Sequence, residues 1–202
     1  NAINRIAVEE DCSVIVINFE KRTMMGALFF NGDANNIVNH SSIPVLLIRE
    51  NRKYEDLPAP KELINHVLFS TDFSENADIA FQYVKEMVGC GVSKVTLVHV
   101  QDQSKIEPYL SSRLLEFNSI DQERLEKIKN ELQTLGDIDV DVQIPFGVPT
   151  AEILKIINEQ NISLVVMGTQ GRGFVREVFV GSVSHNIARN APTSVLLIPG
   201  NR

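Results

Sequence analysis

Apolar residues fall along the chain in short blocks separated by longer amphipathic or polar stretches. Ser13 to Ile17, Val45 to Ile48, Ser163 to Met167 and Ser194 to Ile198 are too short for helices and read as buried strands. His66 to Ser70 and Lys94 to Val100 have the same character. Between them, Ala77, Ala80, Phe81, Val84, Met87 and Val88 form a stripe at helical spacing, with Ser74 as its N-cap. The pattern Ser119-x-x-Gln122 reads as a capping box that opens a second helix, with Leu125, Ile128, Leu132 and Leu135 on one face. Thr150 is placed to cap a third, whose Ile153, Leu154, Ile156 and Ile157 turn inward, and Val183 to Asn190 reads as a fourth. Ile138, Val140, Val142 and Ile144 alternate with Asp139, Asp141 and Gln143, which suits a strand at the sheet edge. Strands and helices in alternation imply right-handed parallel crossovers. The expected fold is therefore α/β: an open, mostly parallel five-stranded sheet with helices on both faces.

The chain also repeats itself. Residues 1–48 laid over 151–198 without a gap match at Ile3/Ile153, Ile6/Ile156, Ser13/Ser163, Val16/Val166, and from Val45/Val195 to Ile48/Ile198, a constant offset of 150. The loop between the two matched strands has diverged: Asn18, Lys21 and Asn31-Gly32 stand where the later copy has Gly168, Gly171 and Gly181-Ser182. Three regions follow from this. Residues 1–50 read as the C-terminal half of a degenerate first copy; 51–63, charged and carrying Pro58 and Pro60, as a linker; and 64–202 as a complete domain. The part equivalent to 64–150 has no counterpart ahead of Asn1, so the sequence reads as a fragment of a tandem protein with an exposed sheet edge at Ser13 to Ile17.

Charge narrows the possible partners. A formal net charge of -7 argues against broad nucleic-acid or acidic-membrane binding, which needs a basic face. Cys12 and Cys90 have no Cys or His neighbours at metal-ligand spacing and read as reduced, packed thiols of a cytoplasmic protein. No run reaches the length of a membrane-spanning helix. His40, His66 and His185 lack metal-compatible spacing, and His99, within an apparent strand, reads as a satisfied core histidine.

The chemistry concentrates after the buried strand ending at Met167. Gly168, Gly171 and the pair Gly181-Ser182 form the pattern Gly-x2-Gly-x9-Gly-Ser, which leads into a helix. Glycines admit close approach of backbone N–H groups to phosphate oxygens, and a helix start adds unpaired donors and the positive end of its dipole. No lysine precedes Ser182 as in a Walker loop, and the order G-x-x-G-x-G differs from the dinucleotide fingerprint. Asp72, Val100 and Gly168 all fall at carboxyl ends of expected strands, where open α/β sheets bind ligands.

From Glu62 onward the sequence resembles the universal stress protein family. The likeness is carried by Val67-Leu68-Phe69-Ser70-Thr71-Asp72-Phe73-Ser74, Leu97-Val98-His99-Val100, Gly147-x-Pro149, Met167-Gly168-Thr169-Gln170-Gly171-Arg172 and Gly181-Ser182-Val183. Ser70 departs from the pattern, in which proline or alanine is common. The resemblance to the ATP-binding branch implies that Asp72, with Thr71 beside it, holds the ribose side and that backbone at Val100 meets adenine. It implies that Gly168, Gly171, Gly181 and Ser182 hold the phosphates, with Met167, Gln170, Arg172 and Val183 adjoining and Mg²⁺ accompanying the ATP. It further implies antiparallel pairing of last strands, here Val45 to Ile48 with Val195 to Ile198 inside one chain, and a homodimer. The expected function is nucleotide-dependent regulation in stress response. A nucleotide-free interaction scaffold is the alternative, and slow ATP hydrolysis a third reading, since the sequence offers no dedicated base.

Overall fold

The structure is a computed structural model that describes residues 2–20, 33–50, 63–171 and 180–200. Helices α1 (Ala2–Glu9) and α2 (Asp33–His40) accompany strands β1 (Ile15–Glu20) and β2 (Val45–Glu50). Then come β3 (His66–Ser70), α3 (Glu75–Gly89), β4 (Lys94–Val98), β5 (Gln101–Asp102), α4 (Gln103–Ile106) and α5 (Leu114–Gln133). The chain continues through β6 (Asp139–Gln143), β7 (Phe146–Gly147), α6 (Pro149–Glu159), β8 (Leu164–Gly168), α7 (Ser182–Asn190) and β9 (Ser194–Ile198).

The expected five parallel strands are present in the order β9-β8-β3-β4-β6, but within a seven-stranded sheet, because β1 and β2 extend it past β9. The junction is antiparallel, with Val45 opposite Leu197, Leu46 opposite Leu196 and Leu47 opposite Val195. All other neighbours in this sheet run parallel. Apolar side chains seal both faces. Leu68, Val165, Leu47 and Leu197 lie under α1, α2, α6 and α7, whereas Val67, Phe69, Leu97 and Val166 lie under α3 and α5. Each fully buried leucine or phenylalanine here contributes about 1.5–3 kcal/mol.

The two sheet borders match the sequence reading, with β6 at one and β1 at the other. At the β1 border the repeat diverges in environment. Ile6 and Val16 are 51% and 54% exposed, while Ile156 and Val166, their equivalents, are 5% and 0% exposed. Val166 lies under α3 and α5 and Ile156 packs in the cluster on the opposite face, whereas neither Ile6 nor Val16 belongs to a buried cluster.

Several local expectations are corrected. The second long helix starts at Leu114, so Ser119 is interior, and Gln122 donates to Glu126 Oε1 (2.8 Å) instead of reaching back as a capping box requires. Thr150 does not cap α6; Pro149 opens that helix with its fixed φ, and the N-cap is Val148 without a side-chain bond. Strand β4 ends at Val98, leaving Val100 in the short connection to β5. Leu135, past the end of α5, is exposed. Cys12 and Cys90 are exposed, not packed, because both lie just beyond helix ends. The linker at 51–62 lies outside the described residues.

His66 is buried at the opposite end of the sheet from the glycine loop. Its Nδ1 donates to the Gln160 carbonyl (3.2 Å), and its Nε2 lies 2.8 Å from Thr96 Oγ1, which itself donates to Gln160 Oε1 (3.0 Å). Burial, aided by Lys94, holds its pKa below the ordinary 6.5, and burial with Arg189 does the same to His185. A depressed histidine pKa means that the unfolded chain binds more protons in this range. Stability should thus be fully present above pH 6.5 and fall as pH drops through the lowered folded values. Urea midpoints measured from pH 7.5 to 5 should show this fall, and His66→Gln should flatten it.

Candidate functional site

The strand order reverses between β3 and β8: the chain moves from β3 to β4 on one side and from β8 to β9 on the other. That reversal opens a crevice at the strands' carboxyl ends, and there the structure has a cavity of about 710 Å³. Thr71, Asp72, Val100, Met167, Gly168, Gln170, Gly171, Gly181, Ser182 and Val183 all line it. Arg172 lies outside the described residues.

One wall is built by the turn after β3. Ser74 caps α3 by accepting from the Ala77 N–H (3.3 Å), which leaves Asp72 a different task. Its Oδ1 accepts from the Ser74 N–H (3.2 Å), and its Oδ2 faces Gly171, where a Cβ would come within 2.6 Å of it. Phe73 takes a left-handed backbone (φ 57°), which costs roughly 1–2 kcal/mol for a residue with a side chain. Thr71 Oγ1 accepts from the Phe73 N–H (2.9 Å), and the Phe73 ring lies between the His99 ring, 4.5 Å away, and the Arg124 guanidinium, 5.1 Å away. These contacts hold the strained turn and fix the direction of the Asp72 carboxylate.

The second wall is the loop from β8 to α7. None of Gly168, Gly171 and Gly181 has positive φ; glycine is needed at Gly168 for space, while a Cβ at Gly171 would displace the Asp72 carboxylate. A Cβ on Gly168 would lie 2.7 Å from Asn76 Oδ1. Asn76, buried at the start of α3, accepts there from the Gln170 N–H (2.8 Å) and donates from Nδ2 to the Ile198 carbonyl (3.1 Å). It therefore pins the ends of β8 and β9 together. Across the loop the Gly181 N–H donates to the Thr169 carbonyl (2.6 Å), and Ser184 Oγ lies 2.9 Å from the same oxygen. Gly181, the N-cap of α7, has no side chain with which to cap that end, and the first turn, whose N–H groups have no acceptor within the helix, lines the cavity at Ser182, Val183 and Ser184.

The third wall is mostly apolar: Val100, Ile106, Phe117, Ile120, Ile153 and Met167. At its edge Asp121, buried on α5, accepts from Gln101 Nε2 (2.9 Å) and lies 3.5 Å from His99 Nε2 and 3.9 Å from Arg124. His99 Nδ1 donates to the Thr71 carbonyl (2.8 Å), so this histidine is satisfied as expected but belongs to the cavity wall. Asn76, Gln101, Asp121, Arg124 and Ser184 escaped the sequence reading. Asp121 alone had left a signal, as an acidic residue one helical turn before Leu125 on an apolar stripe. Among the described residues no cluster of His, Cys, Asp or Glu is arranged to hold a metal. No described helix is long and apolar enough to cross a membrane.

A strand-order crevice faced by glycines and an uncapped helix start is one arrangement by which α/β sheets take anionic ligands. Comparison with known sequences decides which such sheet this is: the sequence model of the universal stress protein family matches residues 1–49 and 64–199. The chain belongs to the universal stress protein family. Universal stress protein MJ0577 of Methanocaldococcus jannaschii is 30% identical over 151 residues, which span 65% of this chain and 93% of that protein. Its solved structure superposes with a TM-score of 0.65 at 29% identity, covering 69% of this chain and 99% of the other. A universal stress protein from Archaeoglobus fulgidus shares the fold over 98% of this chain and 64% of its own (TM-score 0.64, 22% identity). Another, solved in complex with cAMP, matches 66% of this chain and 96% of its own (TM-score 0.52, 20% identity). In the universal stress protein described here, both stretches matched by the family contribute strands to one sheet, and the glycine-lined cavity belongs to the second.

Proposed function

We propose that this universal stress protein binds ATP, accompanied by Mg²⁺, in the cavity at the carboxyl ends of β3 and β8. Occupancy of that site would make it a nucleotide-dependent regulator of a cytoplasmic stress response. The observation that carries this reading is the meeting, around one cavity, of an uncapped helix start, the Asp72 carboxylate and an apolar wall. Each suits a different part of one ligand. The α7 start and its glycines suit phosphates, Asp72 suits ribose hydroxyls, and Val100 with Ile106, Phe117 and Met167 suits a purine face. A cavity of about 710 Å³ is in the usual range for such ligands. The cAMP complex of a relative of the same fold supports the adenine nucleotide class. In the same reading residues 1–50 are the C-terminal half of a degenerate first repeat, 51–63 a linker and 64–202 the binding domain. The first stretch, with Asn18 where Gly168 stands in the second, is assigned no nucleotide.

The test is direct. Protein purified from cells is denatured and the released small molecules are identified by mass spectrometry, and stripped protein is titrated calorimetrically with ATP and Mg²⁺. Release of ATP or ADP, or binding at one site per chain, is the expected result. No binding of any adenine nucleotide at millimolar concentration would refute the reading and leave the interaction scaffold in its place.

A further inference from the structure

The first stretch of the chain, none of whose described residues lines the cavity, reaches it by another route. Arg49, on β2, is only 9% exposed, and its guanidinium donates to the carbonyls of Ala188 and Arg189 (the latter at 2.9 Å) in the last turn of α7. Its backbone N–H donates to Ser194 Oγ (3.2 Å), which fixes the register of this end of β2 against β9. The last carbonyls of a helix have no partner within it, so Arg49 supplies what α7 itself lacks. Desolvation lowers the Arg49 pKa to about 10, which still leaves the guanidinium charged at neutral pH.

From these contacts we infer that Arg49 is a positioning residue for the candidate site. Held by the β2–β9 pairing, it fixes α7 from behind and thereby makes residues 1–50 a determinant of affinity for the ligand's anionic part. The inference rests on the adenine nucleotide reading above. Its mechanics are simple. Helix α7 has nine residues and spans only about 13 Å, so a shift at its C-terminus is carried to its N-terminus. At that N-terminus, Gly181 and Ser184 tie the helix to the Thr169 carbonyl. The helix is thus gripped at both ends, by the β8 loop in front and by Arg49 behind.

Electrostatics act in the same direction. The guanidinium offsets the negative pole of the helix, so the positive pole at the cavity stands with less opposition. The clamp works one way only: the position equivalent to Arg49 in the second stretch is Pro199, which has neither an N–H nor a side-chain donor with which to grip α2.

The experiment compares wild type, Arg49→Met and Arg49→Lys by calorimetric titration with ATP and with adenosine, at a temperature where all three are folded. Arg49→Met should weaken ATP roughly 5–10-fold and leave adenosine unchanged, because adenosine presents no phosphate to α7, and Arg49→Lys should recover part of the loss. Equal loss of both ligands would mean general loosening of the fold and would overturn the inference, as would no change in either. Hydrogen exchange of the ligand-free proteins gives a second readout. Arg49→Met should speed exchange at the Gly181 and His185 amides, whose bonds hold the front of α7, while amides within β3 and β8 keep their protection. Unchanged exchange at Gly181 and His185 would overturn the inference by itself. If wild type binds neither ATP nor adenosine, the nucleotide reading fails, and the exchange result then decides the Arg49 clamp alone.

Discussion

Gly181→Val is expected to lower ATP affinity at least about 100-fold, or about 2.7 kcal/mol, while leaving the fold in place. Gly181 has an extended backbone (φ -65°, ψ 153°) that any residue can adopt. Nearest to a Cβ there, among the described residues, are the Thr169 carbonyl at 3.4 Å and Ser184 Oγ at 3.5 Å, which are ordinary contacts. The two further methyl groups of valine have to occupy space at the mouth of the helix, near the Gly171 N–H, which lies 3.9 Å from the Cβ position. An approaching phosphate needs that space. Calorimetry should show the loss of binding, and urea unfolding should show a change of no more than about 1 kcal/mol, the scale of an N-cap substitution. Binding within twofold of wild type would show that the start of α7 is not the anion site.

The largest stability effect is expected at Asn76. Asn76→Ala strands the Gln170 N–H and takes one of two donors from the Ile198 carbonyl, which keeps the Thr169 N–H (2.8 Å), and should cost about 1–3 kcal/mol. Gly168→Ala drives a methyl group to within 2.7 Å of Asn76 Oδ1 and should cost about 1–3 kcal/mol as overpacking. The two effects share one cause. In the double variant the second penalty should largely vanish, with a coupling of about 1 kcal/mol or more in a urea double-mutant cycle. Simple additivity would mean that Gly168 is not there to make room for Asn76.

That pair shows where sequence reasoning about the site succeeded and where it stopped. Asp72 and Gly168 were legible because they fall at the ends of apolar strands, whose neighbouring ends meet in an α/β sheet, and Gly181 and Ser182 because they lead into a helix. Asn76 was not, since its task depends on how α3 lies over β8 and β9, a tertiary relation with no local trace. Gln101, Asp121 and Arg124 fall in the same class: they come together only once α5 is seated against the end of β4. Ser74 caps α3 as expected, but two other cap signals failed for a related reason. Ser119-x-x-Gln122 is a valid start pattern, but the continuation of α5 back to Leu114 overrode it, and Pro149 pre-empted Thr150. Gly168, Gly171 and Gly181 all line the cavity, and at Gly168 the immediate need for glycine comes from Asn76.

The sheet has one finished border and one unfinished one. Strand β6 ends it with Asp139 and Asp141, and Lys94 reaches across to Asp139 (3.2 Å), so charge discourages any further strand from adding there. Strand β1 carries one charged residue, Glu20, and Val16 within it and Val14 just before it are exposed beside backbone groups that meet no other strand among the described residues. The molecule therefore has a polarity for growth. Among the described residues a further strand would find its template at the β1 border and opposing charge at the β6 border.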